Sequence, residues 1–179
     1  MAKIIYKNGQ EGQNCLECIE GIEIDLFNGQ KALIYPKYSE EIMLPKDKII
    51  SWNANEINEI DAFKKEDNKW ETEVLFKYGS PAAKYASNFH SREYGVFRLP
   101  TLLAAMEIHY HMNEIDALAK TINEADLLYK LCSNIWSCFR SNKNGCWAVW
   151  SGSHSISKDY LYNSNVIVPT ILYKYIRHF

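Results

Sequence analysis

Ile22-Glu23-Ile24-Asp25-Leu26-Phe27-Asn28-Gly29-Gln30-Lys31-Ala32-Leu33-Ile34-Tyr35 is the stretch from which the rest of the chain can be placed. Ile22, Ile24 and Leu26 alternate with Glu23 and Asp25, the period of a strand with one buried face. A second apolar run, Lys31–Tyr35, follows Asn28-Gly29. Both turn residues tolerate positive φ, so the segment predicts an antiparallel hairpin with a type I′ turn. Pro36 and Pro45 punctuate a loop or edge strand around Ile42-Met43-Leu44.

Working outward, residues 53–65 suggest a short helix with Ile57, Ile60 and Lys64 on one face, and Glu66-Asp67-Asn68-Lys69 a polar loop. Ser80-Pro81 reads as an N-cap followed by proline at the first helical position, where its missing N–H costs nothing. Ala82, Tyr85, Ala86 and Phe89 continue as one apolar stripe, closed by Tyr94-Gly95. Thr101 is placed to cap a second helix with Leu103, Met106 and Tyr110 inward. A third starts near Asn113, with Ile115, Leu118, Ala119 and Ile122 buried and Asn113/Asp116 spaced as a variant capping box. Beyond Leu131 the segments 135–139, 146–150 and 166–173 read as short strands between polar loops. The expectation is a single α+β domain over residues 1–179.

Composition narrows the partners. The 179 residues carry 20 Lys+Arg against 22 Asp+Glu, and arginine stands only at Arg92, Arg98, Arg140 and Arg177, so nucleic-acid binding is not expected. No apolar run approaches the roughly 20 residues of a membrane span, and residues 1–7 lack the h-region of a signal peptide, which suggests a cytoplasmic protein. The odd cysteine count, 5, then predicts free thiols in a reducing compartment. Cys15-Leu16-Glu17-Cys18 has the spacing of a zinc knuckle or redox dithiol, yet it lacks a well-spaced second pair and a strand–helix setting. Its cysteines are read as small hydrophobes.

The box Phe97-Arg98-Leu99-Pro100-Thr101 has a physical reading of its own. Pro100 biases Leu99 away from helical geometry, Thr101 can cap the next turn, and the Arg98 guanidinium can bond several backbone carbonyls. In order with other motifs it also resembles a bacterial and phage family of unknown function that includes the C-terminal domain of a collagen-like adhesin. The motifs are the hairpin at 25–35, the helix at 80–89, Gly95, the box, Ile135-Trp136-Ser137-Cys138, Trp147-Ala148-Val149-Trp150 and Val166-Ile167-Val168-Pro169-Thr170. The resemblance spans about residues 20–175, within the size of one domain. Here the box has Phe97 where that family has tryptophan, and the closing strand lacks the family's arginine. It implies a C-type-lectin-like fold, and Arg98, Pro100, Thr101 and Trp136 are assigned structural roles. A similar box occurs in the related formylglycine-generating enzymes, which use a cysteine pair for copper. Cys132/Cys138 or Cys138/Cys146 would be that pair here, but Leu102-Leu103-Ala104-Ala105-Met106 replaces their acidic stretch.

Catalytic signals are sparse. His109 and His111 would project about 200° apart on a helix and could not chelate one ion. Ser151-Gly152-Ser153-His154-Ser155 reads as a loop, and no phosphate-cradling glycine motif is present. The aromatic content, 13%, is concentrated towards the tail, where flat rings alternate with short polar side chains suited to recognition. The expected function is therefore a non-catalytic binding domain for a protein or carbohydrate ligand, with no cofactor, no metal and no membrane partner, and a homo-oligomer is compatible with it. The candidate ligand-binding residues are Trp147, Trp150, His154, Tyr160, Tyr162 and Asn163, on loops between 134 and 165. Trp136, Trp147 and Trp150 as core residues is the competing reading. A formylglycine-generating-type oxidoreductase and a phage structural or receptor-binding component, which would be virion-associated, are the alternative functions.

Overall fold

The Asn28-Gly29 turn forms, but as a three-residue connection. In the computed structural model Gly29 N–H donates to the Leu26 carbonyl (3.0 Å), Leu26 N–H donates to the Gln30 carbonyl (2.8 Å), and Gly29 takes up left-handed φ (82°). Asn28 Oδ1 accepts from Gln30 N–H (3.0 Å). That is a turn followed by a left-handed residue, and it leaves Phe27 projecting from the tip, 90% exposed.

The structure describes residues 1–37, 42–43, 57–77, 79–123, 135–142, 145–150, 155–160, 164–165 and 167–174. In chain order these hold β1 (Lys3–Tyr6), β2 (Ile19–Asp25), β3 (Gln30–Ile34), β4 (Ile42–Met43), α1 (Glu59–Lys64), α2 (Lys69–Lys77) and α3 (Pro81–Ser87). There follow β5 (His90–Ser91), β6 (Gly95–Val96), α4 (Leu102–Tyr110), α5 (Met112–Asn123), β7 (Ile135–Asn142), β8 (Gly145–Trp150), β9 (Ser155–Tyr160), β10 (Ser164–Asn165) and β11 (Thr170–Lys174). The architecture is α+β with antiparallel sheets: a four-stranded sheet β1-β2-β3-β11 and a three-stranded sheet β7-β8-β9.

The hairpin was expected to bury one face, yet both faces of the first sheet are covered. Ile22, Ile24, Ala32 and Ile34 enter the main core with α3, α4 and α5, while Leu33 and Ile171 pack on Phe97 with Ile5, Tyr35, Phe89, Tyr94 and Tyr173 around them. Tyr35 stacks on Phe89 at 4.4 Å and meets Phe97 edge-on at 5.3 Å. Glu20 and Glu23 of β2 are consequently buried and must be paired. Glu20 accepts from Ser91 Oγ (2.5 Å) and Arg92 N–H (3.0 Å), pinning the β5–β6 hairpin over the sheet. Glu23 accepts from the Tyr173 hydroxyl and from Lys31 Nζ (2.9 Å) and pairs with Lys3 Nζ (3.1 Å).

Burial alone would push the Glu23 carboxyl up, but the bonds from Tyr173, Lys31 and Lys3 outweigh it and hold it below its ordinary 4.5. A carboxyl depressed in the native state stabilises fully above its unfolded value, and that contribution fades as pH falls through the lower native value. Glu23→Gln is thus expected to lower stability at pH 7 and to flatten the loss of stability below pH 4.5, read from urea midpoints across that range. A slope identical to wild type would mean that Glu23 does not titrate with folding.

The box joins the two sheets. Arg98 and Thr170 exchange backbone hydrogen bonds (3.0 and 2.8 Å), Cys138 N–H donates to the Pro100 carbonyl (3.0 Å), and Asn68 Nδ2 donates to the Leu99 carbonyl (2.8 Å). Thr101 Oγ1 accepts from Ala104 N–H (3.2 Å) and caps α4, as Ser80 caps α3. The Arg98 side chain bonds one carbonyl, that of Val96 (3.2 Å), and faces Glu73 Oε1 at 3.7 Å, rather than gathering several carbonyls.

Several sequence expectations are corrected. Within 53–65 the described helix begins at Glu59 and buries Ala62, and Ile60 is exposed; the Asn58 cap, bonded to Asp61 N–H, sets that rotation. The helix α2 had no clear apolar stripe to announce it. Tyr110 points outward because α4 ends there, and Asn113 lies within the first turn of α5 rather than capping it. The closing strand starts at Thr170, and Ser155 belongs to β9. Cys15 and Cys18 are joined in a disulfide (Cα–Cα 5.3 Å), whereas Cys138 and Cys146 are buried thiols. Cys132 and residues 53–56 lie outside the described residues.

Candidate functional site at the hairpin tip and helix corner

Two helices, α4 and α5, are joined through the single residue His111. Its N–H donates to the Glu107 carbonyl (2.9 Å), closing α4, and its own carbonyl accepts from Ile115 N–H (3.0 Å), opening α5. The side chains on either side of such a corner cannot all face the core. Tyr110 is 81% exposed, and together with Phe27, Met106, Glu107, His109, Met112 and Asn113 it lines a groove of about 810 Å³.

Polar contacts brace the corner. His111 stands 3.6 Å from Glu107 through Nε2 and 3.3 Å from Glu114 through Nδ1. Glu114 Oε2 accepts from Ala2 N–H (2.8 Å), tying the chain's start to α5; that bond first, and His111 second, keep its carboxyl below the ordinary range. His109 is buried and turned into the groove wall, so the two histidines diverge. Aromatic rings and thioethers form most of this lining, with Glu107, His109 and Asn113 as its polar points. Such a wall binds by shape and apolar burial, since thioethers adapt to irregular partners. No group of three metal-ligating side chains occurs among the described residues.

The sequence-derived candidates fall elsewhere. Trp147 is a core residue, 4% exposed, with its indole N–H donating to the Ile57 carbonyl (2.9 Å), so it offers no ring face to a ligand. Trp136 opposes Ala148 and Trp150 opposes Ser155 in the three-stranded sheet, and Tyr160 opposes Gly145, so these positions lie on strands and not on loops. Their side chains, and residues His154, Tyr162 and Asn163 altogether, lie outside what is described. The groove residues were missed because Met106 and Tyr110 fit a core stripe. The one available signal was an aromatic, Phe27, at a turn position.

The cysteine pair required for copper oxidation can be tested on its sulfurs. Cys138 is fully enclosed, and burial pushes its thiol well above the ordinary value, with Glu71 and Cys146 adding to the rise. Cys146 Sγ donates to the Phe139 carbonyl (2.8 Å) inside the same core. A pair sealed in the core, with Cys138 reluctant to ionise, does not fit a copper-binding pair, and no step is derived through one. Cys132/Cys138 involves a residue outside those described. No helix among the described residues is long and apolar enough to cross a membrane. Neither a protein-family model nor a curated protein nor a solved structure matches the chain.

Proposed function

We propose that this chain is a non-catalytic binding domain of the C-type-lectin-like kind, and that it receives an apolar peptide segment of a protein partner in the groove at the hairpin tip and helix corner. The observation that carries the reading is the exposure of Phe27 and Tyr110 on a groove walled also by Met106 and Met112. Each large apolar side chain left in water forgoes about 1.5–3 kcal/mol that burial by a partner would recover. Apolar walls with few polar points suit peptide side chains better than sugar hydroxyls. The lectin-like assignment is supported by β11 closing back onto the front hairpin, with the helices between them in sequence and a second sheet formed by the tail.

Panning a phage-displayed peptide library, beside a glycan array, tests this. Selected peptides are expected to lose at least about tenfold in affinity on Phe27→Ser/Tyr110→Ser, roughly 1.4 kcal/mol or more, with an unchanged circular dichroism spectrum. Undiminished affinity in that double variant would remove the groove from the account.

A further inference from the structure

We propose that Cys15 and Cys18 form a reversible thiol–disulfide exchange site. Their disulfide lies on the turn-rich connection between β1 and β2, where both cysteines are half-buried and residues 11–14 and Glu17 are exposed. A structural cross-link gains most by closing a long loop of the unfolded chain, and this one spans only two intervening residues.

The connection is ordered by bonds that do not involve sulfur. Lys7 N–H donates to the Cys18 carbonyl (3.0 Å), closing the base. Gln10, Gln13, Cys15 and Cys18 N–H groups donate in turn to the Lys7, Gln10, Gln13 and Cys15 carbonyls, each at 3.0 Å. Asn14 accepts from the Tyr6 hydroxyl (2.6 Å) and reaches Thr121 Oγ1 on α5 (3.5 Å). Opening the disulfide therefore leaves the backbone its partners. Lys7 Nζ donates to the Glu17 carbonyl (2.7 Å), which fixes an ammonium beside the segment between the two sulfurs. A cation there favours the thiolate, the form that attacks and departs in exchange.

The co-reactant is a small thiol such as glutathione. Its thiolate attacks one sulfur of the pair; the S–S bond breaks, a mixed disulfide forms, and the other cysteine leaves as thiolate and takes up a proton. A second thiol attacks the mixed disulfide, releasing the oxidised small-molecule disulfide and the remaining cysteine. Overall the protein gains two electrons and two protons, and two small thiols are oxidised. Cys138 and Cys146, sealed in the core, supply an internal contrast.

The test equilibrates the native chain in glutathione buffers of graded reduced-to-oxidised ratio, quenches with a maleimide mass tag, and maps the tags by peptide mass spectrometry. Cys15 and Cys18 should pass together from untagged to tagged, with Cys138 and Cys146 untagged until denaturant is added. The reduced and oxidised forms should share one near-ultraviolet spectrum, with melting midpoints less than about 8 °C apart. In Cys18→Ser, Cys15 should carry a glutathione adduct in oxidising buffer. The proposal is overturned by tags on both cysteines at every ratio, by none at any ratio, or by reduction that unfolds the chain. Since folding is read separately, a Cys15→Ser/Cys18→Ser variant that fails to fold would also overturn it.

Discussion

Truncating Phe97 to alanine is expected to lower stability by about 4 kcal/mol, which for a chain of this length moves the melting midpoint down by about 8–16 °C. Phe97 is wholly buried on the outer face of the first sheet, in a small cluster with Leu33 and Ile171, and its ring meets Tyr35 edge-on. That cluster is separate from the main core, so few neighbours can collapse into the space, and four of them, Tyr35, Phe89, Tyr94 and Tyr173, are aromatic rings already engaged in ring contacts. The same residue precedes the Arg98 bridge to Thr170, so a disturbed Phe97 also loosens the closing strand. Thermal unfolding followed by circular dichroism checks the value. A loss below about 1 kcal/mol would mean that the second cluster contributes little and that the sheet is effectively one-sided.

Gly21→Ala is expected to cost about 2–3 kcal/mol, seen as a lower urea midpoint with an unchanged slope. A Cβ at Gly21 would sit 2.7 Å from the Ile34 carbonyl oxygen and 2.9 Å from two Leu33 carbons. The oxygen belongs to the neighbouring strand's backbone, which cannot retreat without giving up the β2–β3 pairing at Ile22 and Ile34. Gly29→Ala is the useful contrast. Nothing lies within 4 Å of a Cβ there, but its φ of 82° is left-handed, so only a conformational penalty of about 1 kcal/mol remains. If both substitutions cost the same, close strand approach is not what requires glycine at position 21.

These two positions also mark where the sequence was legible. The hairpin could be read because alternation and turn chemistry are both local, and the Ser80 and Thr101 caps because each is decided within four residues. Periodicity reports that a face is apolar without saying what covers it. Glu23 therefore looked solvated, and its partner Tyr173 lies 150 positions away. Asn68 looked like loop polarity, although it bonds the Leu99 carbonyl in the heart of the box. The same limit explains the candidate site. Trp147 was a candidate ligand residue with the core as its competing reading, and Tyr110 was read as inward; tertiary packing placed Trp147 in the core and Tyr110 on the groove. A helix corner turned on one residue, His111, has no sequence signature of its own, so the face it turned outward could not be anticipated.

The most direct test of the central claim uses the chain's 4 methionines, Met1, Met43, Met106 and Met112, as reporters. With ¹³C-methyl methionine labelling, each contributes one methyl resonance, and Met106 and Met112 line the groove. Adding a peptide selected against the protein should shift the Met106 and Met112 methyl signals and leave that of the exposed Met1 in place. Phe27→Ser/Tyr110→Ser should abolish those shifts at the same peptide concentration. Saturable binding that leaves Met106 and Met112 unmoved would place recognition elsewhere on the molecule and contradict the account.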